Sequence, residues 1–309
     1  MPSTETTRSG LLYGLIAYLS WGVVPLYFIQ LKDVPADEIL AHRIAWSVGL
    51  VLIITTLLGT WPEVLRVFAS RRLVLTMLLS AVLLAGNWLM YIYATVNGLV
   101  TEASLGYYLM PLVNAVLATI FLKEKLRSAH YPALALVAIG VAIPFLAKGD
   151  ITWLAVALPI TFGFYGLVRK RVAVDSMTGL SVEALLLLLP SVGFLIWKGV
   201  EGTGHFGPDM TLNGWLAFSG VVTVVPLLTF TLSIRRLPLL ANSLIQFLSP
   251  TMQFLLAVYW LGEHMSAERW AAIGCVWAAV AVFVGDALMQ ARAKRRAAQE
   301  LECAEAEAR

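Results

Sequence analysis

Long apolar blocks separated by short polar connections run through almost the whole chain. We predict a helix in each block, at residues 10–30, 37–59, 73–97, 103–122, 129–147, 151–168, 180–198, 213–233, 239–261 and 267–289. A helix of about 20 residues crosses the roughly 30 Å of bilayer hydrocarbon. The connections are too short to hold a soluble domain. The pattern therefore predicts an all-α integral membrane protein with ten transmembrane helices.

The composition excludes a soluble globular protein. Hydrophobic residues make up 59% of the chain and charged residues only 13%, whereas a typical soluble domain has about 25% charged residues. Cys275 lies in an apolar block and Cys303 in the charged tail, so the two cysteines give no disulfide framework. Residues 1–9 lack the basic start and small-residue cleavage site of a secretory signal, so we expect the first block to be retained as a helix.

The distribution of basic residues predicts the orientation in the membrane. Of the 22 lysines and arginines, 17 fall on the side that carries both termini, four (Lys32, Lys148, Lys198 and Arg269) on the other, and Arg43 inside a block. Cytoplasmic loops carry an excess of Lys and Arg. We therefore predict a multi-pass protein of the bacterial inner (plasma) membrane, with residues 1–9 as a cytoplasmic N-terminus and residues 290–309 as a charged cytoplasmic tail.

An internal repeat divides the chain into two halves. Shifted by 139 residues, Ser104–Glu124 aligns with Ser243–Glu263 at eight identities in 21 positions, and the identities include a proline and a glutamate. Each repeat has five helices, an odd number, so the second must be inverted relative to the first. We predict repeats at residues 10–147 and 150–289. Inverted repeats are typical of carriers that bind substrate between two halves.

Seven stretches in this order resemble a known family. They are WGVVPLY (Trp21–Tyr27), EILAHRIAWS (Glu38–Ser47), NWLMYIYAT (Asn87–Thr95), EASLGYYLMPL (Glu102–Leu112), FGFYGLVRK (Phe162–Lys170), VVTVVPLLTF (Val221–Phe230) and IQFLSPTMQFLLAVYWLGE (Ile245–Glu263). The chain resembles the EamA-type branch of the drug/metabolite transporter superfamily, and within it the RarD group, which is associated by name with chloramphenicol sensitivity. The resemblance spans about Gly14 to Gly285, and the chain departs from the RarD pattern at Asn242, Ser243 and Leu244.

The resemblance implies an architecture and a function. It implies ten helices with both termini in the cytoplasm, and a central cavity lined mainly by helices one, three, four, six, eight and nine. It also implies export or exchange of small metabolites. It does not supply a substrate.

Two adjacent residues in the second block, His42 and Arg43, are the most unusual candidates for a binding site. A charge in the middle of a bilayer costs about 3 kcal/mol on insertion scales, so it usually indicates a function. Arg43 either faces a cavity or an internal partner, or it extends to the outer interface. Facing inward, its planar fork suits a carboxylate or phosphate. His42 is either a packing residue or a proton carrier.

A second set of candidates combines aromatic rings with amide groups. Asn87 and Tyr91 are four residues apart and share one face of a helix. Buried amides need partners, so a cavity with water or ligand is a natural place for them. The alternative is a belt of interfacial aromatics with hydrogen bonds between helices. The predicted substrate-binding residues, besides His42 and Arg43, are Trp21, Asn87, Trp88, Tyr91, Tyr108, Tyr165 and Gln246.

Prolines and a glycine inside the blocks are candidates for hinges. Proline removes a backbone donor and kinks a helix, which a bilayer tolerates only where other groups satisfy the freed carbonyl. We predict breaks near Pro25 in the first block, near Pro226 in the eighth, and at Pro111 and Pro250 in the fourth and ninth; plain bending is the alternative. The predicted hinge residues are Gly22, Pro25, Pro111, Pro226 and Pro250.

The acidic residues argue against an enzyme. Glu124 and Glu263 end their blocks on opposite sides of the membrane, so they cannot form a catalytic pair; we expect Glu263 to pair with Arg269. The six aspartates are not clustered, and we expect no carboxylate in mid-membrane. Intramembrane enzymes need acidic clusters, a Ser/His pair or paired aspartates. We therefore predict no enzyme activity, no metal and no cofactor.

These observations favour a secondary transmembrane transporter. We expect it to export or exchange a small amphipathic metabolite or drug by alternating access at a central cavity, without direct use of ATP because no GxxxxGK[ST] motif is present. The alternative is a non-transporting regulatory or scaffold protein that alters permeability indirectly. The expected partners are the small-molecule substrate and membrane lipid, with no nucleic acid, and the chain is expected to act as a monomer or a homodimer.

Overall fold

All regular secondary structure in the described part of the protein is helical. A computed structural model describes residues 4–123, 130–148, 153–207, 209–234, 236–237 and 245–307. Its helices are α1 (Thr4–Ile29), α2 (Ala36–Leu57), α3 (Trp61–Phe68), α4 (Arg71–Val96), α5 (Val100–Leu122), α6 (His130–Lys148), α7 (Trp153–Arg171), α8 (Ser176–Val200), α9 (Met210–Ile234), α10 (Leu248–Leu255) and α11 (Ala267–Glu307). A π-helical segment, Leu256–Trp260, continues α10.

The all-α membrane architecture predicted from the apolar blocks is confirmed. Six helices in the described residues are long and apolar enough to cross a bilayer: α1, α2, α4, α8, α9 and α11. The two parts of α5 meet at an angle of 43° and together make a seventh candidate. That ten helices cross the membrane stays a prediction. The short α3 was not predicted, since its residues lie in a polar connection, and α11 extends through the predicted charged tail.

Local signals in the connections fix where helices begin and end. The Asp175 carboxylate accepts a hydrogen bond from the backbone N–H of Met177 and caps the start of α8. After α4, Gly98 adopts φ 68°, a left-handed conformation that glycine enters without a steric penalty. The turn at Gly98 lets α5 begin at Val100 and run back across the bundle.

Helix pairing follows a regular pattern. α1 packs against α9 and α10, α7 against α4 and α5, α2 against α8 and α9, and α6 against α11. The predicted repeat makes α1 equivalent to α7, α4 to α9 and α5 to α10. Under this equivalence, the pair α1·α9 corresponds to the pair α7·α4, and the pair α5·α7 corresponds to the pair α10·α1. The observed pairs therefore agree with the inverted repeat, which itself stays a prediction.

The predicted hinge residues occupy different kinds of position. α1 continues through Pro25 and α9 continues through Pro226, so the breaks predicted at these two prolines were wrong: both helices keep enough backbone bonds on either side to stay continuous. Pro111 lies where α5 bends, and Pro250 lies in the first turn of α10, where a missing N–H costs little. Gly22 is buried, and a Cβ there would lie 2.9 Å from Met252.

Candidate functional site

Arg43 lies in the interior of the bundle. Its side chain comes from α2 and the residue is 8% exposed. Nε donates a hydrogen bond to Oγ1 of Thr223 on α9 at 2.7 Å. The guanidinium carbon lies 4.2 Å from the centroid of the Trp88 ring and 5.8 Å from that of Phe28, within the range of cation–π attraction. The side chain therefore points inward and does not extend to the outer interface.

The charge of Arg43 is not paired with an acidic group in the part of the chain that the structure describes. Within the described residues, no carboxylate forms an ion pair with it. The other groups that interact with it electrostatically are the phenols of Tyr27, Tyr91 and Tyr107. A guanidinium has five N–H donors in a rigid fork, and Thr223 accepts only one of them. The fork is thus a buried cation whose preferred counter-ion, a carboxylate or phosphate, is not supplied by the described residues around it.

A small cavity lies next to Arg43. Its volume is about 20 Å³, which is enough for a single water molecule. Trp88 and Thr223, which both contact Arg43, line the cavity together with Glu183 and Ser47. The lining comes from α2, α4, α8 and α9, whereas the resemblance implied helices one, three, four, six, eight and nine. This small space does not test that expectation, because it is too small to be the substrate cavity, and the predicted lining stays a prediction.

Of the predicted residues on α4, Trp88 and Tyr91 lie near Arg43, while Asn87 faces another helix. The Asn87 amide donates to the Leu158 carbonyl at 2.8 Å and to Oγ1 of Thr161 at 3.0 Å, both on α7. It is 1% exposed. Its amide therefore joins two helices, which is the alternative that the sequence left open.

The other predicted aromatic and amide residues are spread over several helix contacts. Trp21 packs against Tyr18 and Phe230. The hydroxyl of Tyr108 and Oγ1 of Thr251 lie 2.7 Å apart, which joins α5 to α10. Gln246 is half-buried, with no contact that ties it to Arg43.

Gln253 has a larger structural role than Gln246. It is 2% exposed, and its amide donates to the Trp21 carbonyl at 2.9 Å. The sequence analysis preferred Gln246 as the cavity residue. Two amides seven residues apart lie on the same helix face, so helical spacing alone does not show which of them is more deeply buried.

His42 lies beside a loop that packs against the N-terminal end of α2. Its ring packs 5.2 Å from the ring of Phe206, and its buried Nε2 has no hydrogen-bond partner among the described residues. In the same loop, His205 donates its backbone N–H to Glu38 at 2.7 Å, and its Nδ1 lies 2.9 Å from the other carboxylate oxygen. This clamp between Glu38 and His205 fastens the loop over the helix that carries His42 and Arg43.

Glu183 is a buried carboxylate that the sequence analysis missed. Oε1 accepts a hydrogen bond from Oγ of Ser80 at 2.6 Å, and Oε2 accepts one from the Tyr165 hydroxyl at 3.4 Å. Nε of Arg169 lies 3.7 Å from Oε1, and the side chain is 1% exposed. The sequence analysis expected no carboxylate in mid-membrane and gave Glu183 no role. Arg43 and Glu183 both occupy the eighth position of their helices, α2 and α8. This match depends on the observed helix starts, because in the predicted blocks the two residues stand seventh and fourth.

Glu263 corrects another expectation. Its two carboxylate oxygens accept hydrogen bonds from the backbone N–H groups of Val100 and Thr101, at 2.6 and 2.8 Å. Arg269, its predicted partner, instead pairs with Glu102 at 3.1 Å. The free N–H groups and positive dipole end of α5 attract a carboxylate more effectively than a half-exposed arginine does. Glu124 lies outside the described residues.

Comparison with known proteins identifies the family. The model of the EamA-like transporter family matches residues 8–146 and again residues 150–285. The chain belongs to the EamA-like transporter family. This EamA-family chain is similar to protein RarD of Salmonella typhi, at 40% identity over 94% of this chain and 99% of that protein. It is also similar to an uncharacterized transporter of Vibrio cholerae, at 39% identity over 96% and 98% of the two chains.

One solved structure shares the fold of this EamA-family protein. A crystal structure with 19% sequence identity superposes with a TM-score of 0.58 over 90% of this chain and 97% of its own. Together with the apolar helices, these relatives make the protein a multi-pass transporter of the bacterial inner membrane and not an enzyme.

Proposed function

We propose that this EamA-family protein exports or exchanges a small amphipathic organic anion by alternating access, and that Arg43 binds the anionic group. The observation that carries the proposal is the buried guanidinium of Arg43, which has no carboxylate partner within the described residues. A charge in a low-dielectric interior is stabilised only by pairing or hydrogen bonding. A carboxylate or phosphate on the substrate would provide both through two parallel bonds to the fork.

The surroundings of Arg43 suit the apolar part of such a substrate. Trp88 and Phe28 offer ring faces, and Tyr107 adds a half-buried phenol. Rings of this kind provide apolar contact area together with polar groups that fix orientation. A molecule with one anionic end and an aromatic or aliphatic body matches this arrangement.

Alternating access accounts for the small size of the cavity. A space of about 20 Å³ cannot hold an organic anion, so substrate binding requires a conformation with a wider cavity than the one described here. The clamp between Glu38 and His205 closes one end of α2, and Arg169 beside Glu183 closes the start of α8. We propose that the halves 10–147 and 150–289 rock about Gly22, Pro25, Pro111, Pro226 and Pro250, with both termini in the cytoplasm.

Counterflow in proteoliposomes tests the proposal. We expect liposomes that contain the full chain and are preloaded with unlabelled phenylpyruvate, an aromatic anion, to take up labelled phenylpyruvate transiently and saturably. Other aromatic carboxylates should compete. Chloramphenicol has no anionic group and should compete weakly. Protein-free liposomes are the control.

Two results would contradict parts of the proposal. Saturable exchange of chloramphenicol without exchange of any anion in the panel would show that the substrate class is wrong. Absence of exchange and of any thermal shift, with anions, amino acids and chloramphenicol alike, would favour the non-transporting regulatory or scaffold protein.

Loss of the Thr223 hydroxyl should weaken anion binding. Valine has nearly the same shape as threonine but cannot accept the hydrogen bond from Nε of Arg43. A hydrogen bond to a charged group contributes about 1.5–3 kcal/mol, so we expect Thr223→Val to raise the Kd for phenylpyruvate by roughly tenfold or more. Thr229→Val on the same helix is the matched control, because that hydroxyl bonds only to carbonyls of its own helix. Equal Kd values for both variants would mean that Thr223 does not position Arg43.

A further inference from the structure

The hydroxyl groups around Glu183 can hydrogen-bond to its side chain whether the carboxyl group is ionised or protonated. Ser80 and Tyr165 contact it through hydroxyls, and a hydroxyl can either donate to a carboxylate or accept from a carboxylic acid. An arginine can only donate, but Nε of Arg169 stands 3.7 Å away, beyond hydrogen-bond length. The two direct partners of Glu183 therefore do not force it to remain ionised.

Arg169 has other partners to hold it when Glu183 is neutral. Nη2 donates to the carbonyls of Asp175 and Ser176 at 3.3 and 3.4 Å, and Nη1 contacts the sulfur of Met77. Gly179 makes room for it, since a Cβ there would overlap the guanidinium. These contacts keep Arg169 at the start of α8 in either state of Glu183.

Glu183 shares its cavity with the contacts of Arg43. Thr55 on α2 and Ser181 on α8 lie 2.8 Å apart and fix the register of the two helices. Counted from that contact at 1.5 Å per residue, the Cα atoms of Arg43 and Glu183 are separated by roughly 15 Å along the axis. Glu183 lines the cavity together with Trp88 and Thr223, and these two residues in turn contact Arg43.

No other titratable side chain in the described residues contacts Glu183. α4 presents Ser80, α7 presents Tyr165 and Arg169, and α2 and α9 present Ser47 and Thr223 across the cavity. From α3, Val64 and Val67 pack near Val182. The ionised carboxylate thus faces a low-dielectric space, with Arg169 on one side and the proposed anion site on the other.

We propose that Glu183 is a proton-binding site coupled to the anion site at Arg43, so that proton and substrate move together. This proposal rests on the proposed function. An anion bound at Arg43 places a negative charge across the cavity from Glu183 and so disfavours the ionised form of that carboxylate. One proton then joins the carboxylate to give a neutral acid. The coupling is reciprocal, so a proton on Glu183 favours anion binding.

Such coupling does not fix the direction of transport. Cotransport of one proton with one monovalent anion is electroneutral. A high concentration of the anion inside the cell would drive export of both the anion and protons, whereas an inward proton gradient would drive uptake of the anion. Export and proton cotransport are therefore compatible.

The test is the pH dependence of phenylpyruvate binding and counterflow by the full chain. Phenylpyruvate stays ionised between pH 5 and 8, so the proton cannot enter on the probe itself. In the wild type we expect the affinity for phenylpyruvate to rise as pH falls from 8 to 5. The expected rise is on the order of tenfold for a carboxylate at Glu183 and an anion at Arg43 that are separated as described above. Addition of phenylpyruvate to weakly buffered protein should also cause proton uptake, seen with an indicator dye. Glu183→Gln mimics the neutral acid and should give the acid-pH affinity at every pH, without proton uptake.

Matched variants show whether the proton binds at Glu183 or at another group. Glu201→Gln, at the exposed end of the same helix, should keep the wild-type pH dependence. Tyr165→Phe removes one donor to the carboxylate and should move the midpoint of the pH dependence to higher pH; it is the milder variant if Glu183→Gln does not fold. His42→Gln tests the histidine that neighbours Arg43 in sequence, which can also change charge between pH 5 and 8.

The outcomes distinguish the two proposals. If no anion is exchanged by the wild type, the proposed function fails and this inference falls with it. If anions are exchanged but Glu183→Gln keeps the wild-type pH dependence and proton uptake, or His42→Gln abolishes them, only the coupling role of Glu183 is overturned. Affinity that falls on acidification would overturn it as well.

Discussion

Replacement of Arg43 by glutamine is expected to raise the Kd for phenylpyruvate by about 100-fold and to abolish counterflow at micromolar substrate. The fork would donate two charge-assisted bonds to a carboxylate, and each such bond contributes about 1.5–3 kcal/mol. Two bonds at the lower value correspond to about 3 kcal/mol, or roughly 100-fold in Kd. Titration calorimetry of the purified variant measures this loss, and counterflow measures its effect on transport.

Further variants separate the charge of Arg43 from its shape. Arg43→Lys keeps the charge but loses the planar fork, so its Kd should lie between those of the wild type and the glutamine variant. Arg269→Gln removes an arginine that pairs with Glu102 near the start of α5, and it should leave the Kd unchanged. An unaltered Kd in Arg43→Gln, with normal elution on size-exclusion chromatography, would place the anion site elsewhere and leave Arg43 a structural role.

The helices could be predicted because a bilayer imposes one length and one composition on every crossing segment. Apolar blocks such as 37–59 and 73–97 are close to the observed α2 (Ala36–Leu57) and α4 (Arg71–Val96). Continuity through Pro25 could not be predicted in the same way. A proline removes one backbone bond, but whether the helix breaks depends on neighbours that are distant in sequence.

Arg43 could be found from the sequence because a permanent charge is conspicuous in the middle of an apolar block. Glu183 was harder to find, since it lies only seven residues after the start of α8, where a carboxylate could still reach the interface. Its burial depends on Ser80 and Tyr165, which come from two other helices. The side that a residue faces is set by packing between helices, which the order of residues in one helix does not specify.

Partner choice was the other step that the sequence could not resolve. Glu263 and Arg269 are six residues apart, so an ion pair between them was the simplest expectation. In the folded chain, Glu263 meets the start of α5, 162 and 163 residues away, and Arg269 meets Glu102. Short sequence separation favours a contact only when no stronger partner, here two free backbone N–H groups, is brought near by the fold.

Gly220→Ala is expected to destabilise the protein, because α2 and α9 touch backbone to backbone at this glycine. A Cβ at Gly220 would lie 2.7 Å from the carbonyl oxygen of Trp46 and 3.1 Å from the backbone nitrogen of Ser47. Backbone atoms cannot move aside as a flexible side chain can, so the two helices must separate. Overpacking of this kind costs roughly 1–3 kcal/mol. Thermal unfolding in detergent should show a lower midpoint, and Gly220→Leu should give no folded protein.

The matched control lies in the same helix. Gly214 has open space around its Cβ position, and alanine is the better helix former by up to about 1 kcal/mol, so Gly214→Ala should keep or raise the midpoint. The close approach at Gly220 also brings Thr223, one turn further along α9, against Arg43. Gly220→Ala should therefore weaken phenylpyruvate binding as well as stability, whereas Gly214→Ala should change neither adversely. Equal midpoints and equal Kd values for the two variants would mean that α9 can shift away from α2 without cost, and that the position of Thr223 does not depend on this contact.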